Sequence, residues 1–328
     1  LVAVAILSAF LMPLAYMTLT ALKDQSQAAD PAAPLYPASP RVFDYEGQAL
    51  QIYAVPVDGV IRELAIVERG RESSVMIDPA NIAAGPFTWE GRWRTLQPAY
   101  VFDPKVENFA VVWDELEFPK LLRNTAIIAI VSTIGAVASA VCVAYGFSRF
   151  RFRLRGPLFL VLLSTIMLSA QVTLVPTYIL FTKLGWSGTW LPLIVPHFFA
   201  NAYNVFLLRQ YFLTIPRDLD EAAMIDGAGP FQILRSVIVP QAIPAIVAVT
   251  LFHFFFSWNE FLMSLVYVGG NPDLWPLSLG MQKFASLFVT RPPLVQASAI
   301  LAIIVPVVVF FLAQRAFMRG VVITGVEK

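Results

Sequence analysis

Three ionisable side chains stand in stretches that are otherwise almost wholly apolar: His197 in VPHFF, Glu260 in SWNEF, and His253 a short way before it. Burying such groups in lipid is expensive, so each is a candidate for function, and two imidazoles with a carboxyl are the equipment of a proton path. On that reading the chain is a secondary transporter driven by an ion gradient. The competing reading is structural, with each group hydrogen-bonded inside a helix. Covalent chemistry has little to work with: the chain holds two histidines and one cysteine, and shows neither a metal-ligand cluster nor a nucleophile motif. Cys142 lies in an apolar run and reads as a small core residue. A G-x-x-x-x-G-K-S/T phosphate loop is missing, so no motif for ATP hydrolysis is read in this chain.

A second candidate is DEAAMIDGAGP, Asp220 to Pro230, a short acidic stretch punctuated by glycine. Asp218, Asp220 and Glu221 favour the positive end of a helix dipole, and Pro216 suits a first helical turn. Gly227 can close that helix in the left-handed conformation, and Pro230 can open a second one over Phe231 to Val239. The expected product is helix, turn, helix, with small residues on one face and acids beside it, a surface suited to docking into a cleft on another protein.

The elements that carry these residues follow from composition: 58% hydrophobic and 14% charged residues describe an integral membrane protein. Six apolar stretches are long enough, or nearly so, to span a bilayer: Leu1 to Ala21, Leu121 to Phe147, Leu158 to Phe181, Trp190 to Phe212, Ala242 to Val268 and Leu294 to Phe317. The first lacks a methionine and a basic leading region, so it is expected to be a span of a truncated chain and not a signal peptide. Orientation comes from SRFRFRLRGP, where Arg149, Arg151, Arg153 and Arg155 mark a cytoplasmic loop. Both termini and the Glu221 segment then lie in the cytoplasm. The region from Lys23 to Lys120, with 9 of the 23 basic but 15 of the 22 acidic residues, lies outside.

Within that outer region, QSQAADPAAPLYPASP reads as an extended linker. Alternating residues around Asp58-Gly59 and Arg69-Gly70 predict a small β-rich module at about 45–104, with TWEGRWRTL as a further patterned piece. Trp89, Trp93 and Tyr100 serve either as its core or as a sugar-stacking platform. The organisation expected is a first span at 1–22, an outer region at 23–120, a transmembrane core at 121–317 with a cytoplasmic loop at 215–241, and a tail at 318–328.

Glu221, Ala222, Ala223, Gly227 and Pro240 are in register with the EAA loop of the membrane subunits of bacterial ABC importers, which this sequence resembles. IPRDLDEAAMIDGAG extends the match in the form typical of the carbohydrate-uptake group, which includes the maltose and glycerol-3-phosphate permeases. LMPLAYMTLTALKD, AYGFSRFRFRLRGPLF, VPTYILFTKLGW, SWNEFLMSLVY and GVVITGVEK are similar to other parts of that family. Val237 and Val239 depart from its usual Ile and Leu, and the Tyr45 to Pro104 region does not fit the resemblance, which implies only a short connection there.

The resemblance implies an all-α polytopic membrane protein of six transmembrane helices, the type I ABC importer permease fold, with a β-rich extracytoplasmic insertion between the first and second spans. It implies no catalysis by this chain: ATP and Mg sit on a partner ATPase dimer, which grips Glu221, Ala222, Ala223, Asp226, Gly227 and Pro240, and the Gly325 to Lys328 tail touches the same dimer. Its other partners would be a second homologous permease, an extracytoplasmic solute-binding protein and the lipid bilayer; no nucleic acid is expected. A transport path lined by the second to fifth spans would present Asn201, Tyr203, Asn204, Trp258 and Asn259, although polar residues in spans also hold helices together.

Overall fold

The computed structural model describes residues 1–31, 33–57, 59–285 and 290–323. Asp58 of the expected hairpin turn and the Gly325 to Lys328 tail lie outside the described residues. The chain divides into two units, Leu1–Asp114 with Phe284–Leu301, and Glu115–Lys283 with Ala302–Lys328.

In the first unit, helix α1 (Val2–Ala21) is apolar along its length, and its 18-residue apolar window has no residue buried by the rest of the protein. The segment after it is folded, in contrast to the extended linker expected there. Asp24 caps a short helix α2 (Gln25–Ala29) by accepting the Ser26 N–H. Gln27, only 2% exposed, then organises the residues up to β1: its Nε2 donates to the carbonyls of Pro34 and Tyr36, and its Oε1 accepts from the Ala38 N–H. Proline and alanine cannot fix a chain themselves, but one buried amide satisfies three backbone groups and does so for them.

The strands of this unit are β1 (Ala38–Pro40), β2 (Val42–Tyr45), β3 (Gln48–Val57), β4 (Val60–Glu68), β5 (Ser73–Ile77), β6 (Phe87–Glu90), β7 (Gln97–Pro98) and β8 (Tyr100–Phe102). β2 to β6 form an antiparallel meander, β7 pairs with β3, and β1 pairs with β8. The Glu46-Gly47 turn between β2 and β3 has φ of 53° and 77°, both positive, as the right-handed twist of a tight hairpin requires. Alternation along β3 and β4 gives each face its own small cluster. Tyr53, Val55, Leu64, Ile66 and Met76 lie on one, and Leu50, Ile52, Ala65 and Ile77 on the other.

Trp89 and Trp93 are half-buried and pack against the first cluster, as the core reading has it. Trp89 donates its indole N–H to the Pro56 carbonyl at 3.1 Å, and the Arg69 guanidinium stands 4.9 Å from the Trp93 ring. Trp93–Thr95 is a 3-10 turn and not a strand. Tyr100 donates to Asp30 at 3.1 Å; burial and that carboxylate push its phenol up to about 12. Helix α3 (Glu107–Glu115) closes this part of the chain, with Asn108 donating to the carbonyls of Ala21 and Lys23.

The second unit is built around α4 (Phe118–Arg149), 32 residues long. Ala129, Ser132, Ala136, Ala140, Ala144 and Ser148 recur along it at three- and four-residue spacing, and all are fully buried. Such a stripe lets neighbouring backbones approach closely, the packing that membrane helices use where no hydrophobic effect separates protein from lipid. Gly135 shows how close: a Cβ there would lie 2.5 Å from the Phe198 ring. Cys142 is on the same helix but exposed, contrary to its expected place in the core, because it falls off this stripe.

Next come α5 (Arg155–Ser164), α6 (Ala170–Lys183), α7 (Leu191–Ile194), α8 (Ala202–Thr214) and α9 (Asp218–Ile225). After them are α10 (Pro230–Ile233), a π-helical turn Leu234–Ile238, α11 (Val239–Gln241), α12 (Ile243–Trp258), α13 (Leu262–Val268), α14 (Leu277–Gly280) and α15 (Pro292–Ile323), the last shared with the first unit. Val205, Leu208 and Phe212 of α8 and Val249 of α12 join α4 in one core. Ser132 and Ser257 share a hydrogen bond of 2.9 Å between α4 and α12.

Among the described residues four helical segments are long and apolar enough to cross a membrane: Val2–Ala21, Phe118–Arg149, Leu191–Thr214 and Pro292–Gln314. Two further pairs, Arg155–Met167 with Gln171–Lys183 and Pro230–Gln241 with Ile243–Trp258, are bent by 100° and 83° and bring the number to six if each is one span. The stretches expected at Leu158 to Phe181 and Ala242 to Val268 are thus not continuous helices. Ser169 recaps the chain at the first of these bends by accepting the Gln171 N–H; the stretch at Ala242 to Val268 is interrupted again between α12 and α13, where Glu260 accepts the Met263 N–H.

Candidate functional site

The EAA stretch forms a helix and a turn within the second unit. Helix α9 begins at Asp218 with Arg217 at its N-cap, so Pro216 sits just outside it and not in its first turn. Its far end is closed by Gly227 at φ 82°. The Ala228 N–H bonds to the Ala223 carbonyl at 2.9 Å and the Gly227 N–H to the Met224 carbonyl at 3.0 Å. These two bonds are the Schellman closure, which needs a residue free to take positive φ. Pro230 then opens the second helix. It runs past the expected Val239 to Gln241, loosening to π geometry over Leu234–Ile238 ahead of Pro240, whose nitrogen has no hydrogen to continue the α pattern.

Glu221, Ala222, Asp226, Gly227 and Pro240 are exposed, and Ala223 is half-buried against the helical core. Large apolar side chains stand among them: Ile225 is 86% exposed, Phe231 73% and Met224 55%. A rim of acids around exposed isoleucine, phenylalanine and methionine is the composition of a protein-binding patch.

Asp220 points the opposite way. Its carboxylate lies 2.8 Å from Arg149 Nε, the two side chains being 10% and 6% exposed, and Arg149 Nη2 donates to the Ile215 carbonyl at 3.0 Å. Arg149 ends α4 and Asp220 lies in the first turn of α9, so the pair ties the exposed helix to the central one. Burial pushes the Asp220 carboxyl above its ordinary pKa, and the positive charges of Arg149 and Arg217 pull it back. A cavity of about 220 Å³ lies beside the pair, lined by Tyr145, Arg149, Arg217, Asp220 and Glu221 among others.

Two further cavities lie in the same unit. One, of about 420 Å³, is lined by His197, Asn201, Tyr203, Asn204, Phe252, His253 and Phe256. The other, of about 220 Å³, is lined by His197, Phe256, Thr173, Thr177, Ser257, Glu260 and Tyr267 among others. The structure therefore brings Asn201, Tyr203 and Asn204 together at one cavity. Trp258 and Asn259 line neither. Trp258 is buried with its ring 5.4 Å from Phe254, and the Asn259 amide donates to the Phe255 carbonyl at 2.8 Å. Asn201 also caps α8 through its Oδ1. The rings of His197 and His253 are 4.8 Å apart, and Glu260 is at the second cavity.

A family model described as "Binding-protein-dependent transport system inner membrane component" matches residues 132–323, more than half of the chain. The chain belongs to this family. This permease is 31% identical over 240 residues to the osmoprotective compounds uptake permease protein GgtD of Synechocystis sp., covering 73% of this chain and 80% of that one. To the sn-glycerol-3-phosphate transport system permease protein UgpE of Rhizobium meliloti it is 37% identical over 207 residues, covering 62% and 73%. Among solved structures it is similar to a bacterial ABC transporter involved in the import of the acidic polysaccharide alginate, at 25% identity and TM-score 0.58, over 68% of this chain and 82% of that one.

The permease is thus a multi-pass inner-membrane subunit of an ABC importer with the type I fold, mostly helical with a β-rich N-terminal region. The ion-gradient-driven alternative gains no support from these relatives. Two features of the permease are not evident from its sequence. Arg149 counts there as one of four loop arginines and Asp220 as one of three helix-dipole acids; only the fold pairs them. Met224, Ile225 and Phe231 read as ordinary helix residues until their exposure is seen.

Proposed function

We propose that the permease forms half of the translocation path of an ATP-driven importer and that its EAA loop is the mechanical link to the ATPase. The observation that carries this is the exposed helix α9, closed by Gly227, flanked by apolar side chains and clasped to α4 through Arg149 and Asp220. A push on α9 by an ATPase closing on ATP is passed to the central helix as a rigid-body movement. Glu221, Ala222, Ala223, Asp226, Gly227 and Pro240 form the docking surface. ATP and Mg are held by the ATPase dimer and not by this chain.

In this reading the chain has six spans with both termini in the cytoplasm, and the β-rich region is an extracytoplasmic insertion between the first two. A second homologous permease completes the path, and an extracytoplasmic solute-binding protein delivers cargo. The relatives point to three kinds of cargo: osmoprotective compounds, glycerol 3-phosphate and an acidic polysaccharide. Asn201, Tyr203 and Asn204 face the path at the larger cavity. Glu221→Lys tests the coupling: the variant is expected to insert and assemble normally while ATP-driven uptake falls by more than about tenfold, the effect of a like-charge or unpaired contact of about 1.4 kcal/mol or more at the interface. Uptake equal to wild type would remove Glu221 from the coupling surface.

A further inference from the structure

We propose that the connection 150–155, together with Arg209, binds the headgroup of an anionic phospholipid at the end of α4. Its sequence, FRFRLR, alternates an apolar side chain with an arginine throughout. The apolar run of α4 stops at Phe147, so Ser148 and Arg149 mark where the helix leaves hydrocarbon, and the residues that follow lie at headgroup level. Two ring contacts hold them to the helix: Phe150 is 5.5 Å from Tyr145, and Phe152 is 5.9 Å from Phe147. Even so, Phe150, Phe152 and Leu154 remain exposed, as do Arg151 and Arg153 between them. Exposed rings and leucine interleaved with guanidinium groups suit the boundary between acyl chains and headgroups, where each kind of side chain has a matching medium.

The charges at this end of the helix are unbalanced. Arg149 is paired with Asp220, but among the described residues Arg151, Arg153, Arg155 and Arg209 form no ion pair. Arg155 Nη2 donates to the Ser148 carbonyl at 3.4 Å and Arg209 Nε to the Phe147 carbonyl at 3.2 Å, so both are drawn to the negative end of the α4 dipole. There the two like charges oppose each other. Phe159 covers the face of the Arg209 guanidinium, 4.2 Å from its ring centre, which leaves the edge of the group to donate. Like charges gathered without a counter-charge are a cost that an anion removes, and two guanidinium forks match the oxygens of a phosphodiester. A lipid also covers Phe150, Phe152 and Leu154 with its acyl chains, which a soluble phosphate does not.

The test is native mass spectrometry of the importer, assembled with its partner subunits, in mild detergent supplied with phosphatidylglycerol or with phosphatidylcholine. The wild type should retain phosphatidylglycerol in preference to phosphatidylcholine. Arg151→Gln/Arg153→Gln, at two exposed positions, should raise the dissociation constant for phosphatidylglycerol about 25-fold, at about fivefold for each arginine beside an anionic lipid surface. Arg151→Lys/Arg153→Lys keeps the charge and should keep most of the affinity. Phe152→Ser should weaken lipid binding, and excess inorganic phosphate should not displace the lipid.

Equal retention of the two lipids by the wild type overturns the proposal, as does phosphatidylglycerol binding that the Gln pair leaves unchanged. Displacement by inorganic phosphate overturns it in favour of a soluble anion. The same spectra count subunits, so a Gln pair that loses the ATPase while keeping its lipid overturns it in favour of a protein contact.

Discussion

Asp220→Asn should lower ATP-driven uptake by about tenfold or more, because the charged tie between α9 and the 6% exposed Arg149 of α4 is lost. Its cost in stability should stay within about 1 kcal/mol, because burial already drives the Asp220 carboxyl above its ordinary pKa despite Arg149 and Arg217, so the fold accepts the neutral side chain. The double variant Arg149→Met/Asp220→Leu, which fills the same space with apolar atoms, should likewise keep stability within about 1 kcal/mol of wild type. It should not recover ATP-driven uptake, since the directional tie between α4 and α9 is gone.

The sign of the pH effect comes from the same shift. A carboxyl with a raised pKa in the folded state binds more protons there than when unfolded, so its contribution is greatest at low pH and is lost as pH climbs through the folded value. Asp220→Asn should flatten that slope. Thermal unfolding in detergent across the acidic range, with uptake measured in parallel, checks all three statements. An Asp220→Asn variant with uptake equal to wild type would mean that the pair is not the clasp described.

Gly227→Pro should have a comparable effect by a different route. The native φ is 82°, whereas proline is locked near −65° and carries no hydrogen for the bond to the Met224 carbonyl. The expected cost is about 3 kcal/mol or more, concentrated in the turn. Nothing lies within 4 Å of a Cβ built on Gly227, so other substitutions meet no clash and their cost is backbone strain alone. Gly227→Val should cost about 1–2 kcal/mol and Gly227→Asn much less, because asparagine enters the left-handed region readily. ATP-driven uptake should decline in the order Gly, Asn, Val, Pro, with similar amounts of each variant in the membrane. Equal uptake by the Val and Pro variants would show that the turn is not needed for coupling.

What the sequence makes legible is what short-range physics decides. Four of the apolar stretches, the start of α9 near Asp218 and the left-handed Gly227 follow from composition, dipole and backbone freedom, and each is found in the structure. Elements fixed by distant partners are misread. QSQAADPAAPLYPASP has a linker's composition, yet one buried glutamine folds it, and no local pattern signals that Gln27 turns inward. The breaks near Ser169 and Asn259 fall inside stretches whose apolar residues on either side read together as one span, so average hydropathy passes over the few polar residues that stand there.

The site divides in the same way. Glu221 and Gly227 stand out by type and spacing, but Asp220 gains its role only from Arg149, 71 positions earlier in the chain and 2.8 Å away in space. Trp258 and Asn259 look equivalent to Asn201 and Asn204 as polar or amphipathic groups in apolar runs. Packing separates them: Trp258 is enclosed and the Asn259 amide is spent on its own helix, while Asn204 meets His253 at a cavity.

The central claim is that this permease works by gripping an ATPase through the α9 loop. Its most direct test is to purify the tagged chain in mild detergent from its own membrane and assay ATP hydrolysis in the product, with the Gly227→Pro variant alongside. The wild-type preparation should retain a P-loop ATPase and a second EAA-bearing permease and should hydrolyse ATP, while the variant should reach the membrane but lose the ATPase. A wild-type chain that purifies without any ATPase, and whose uptake in liposomes runs on a proton gradient, would contradict the claim.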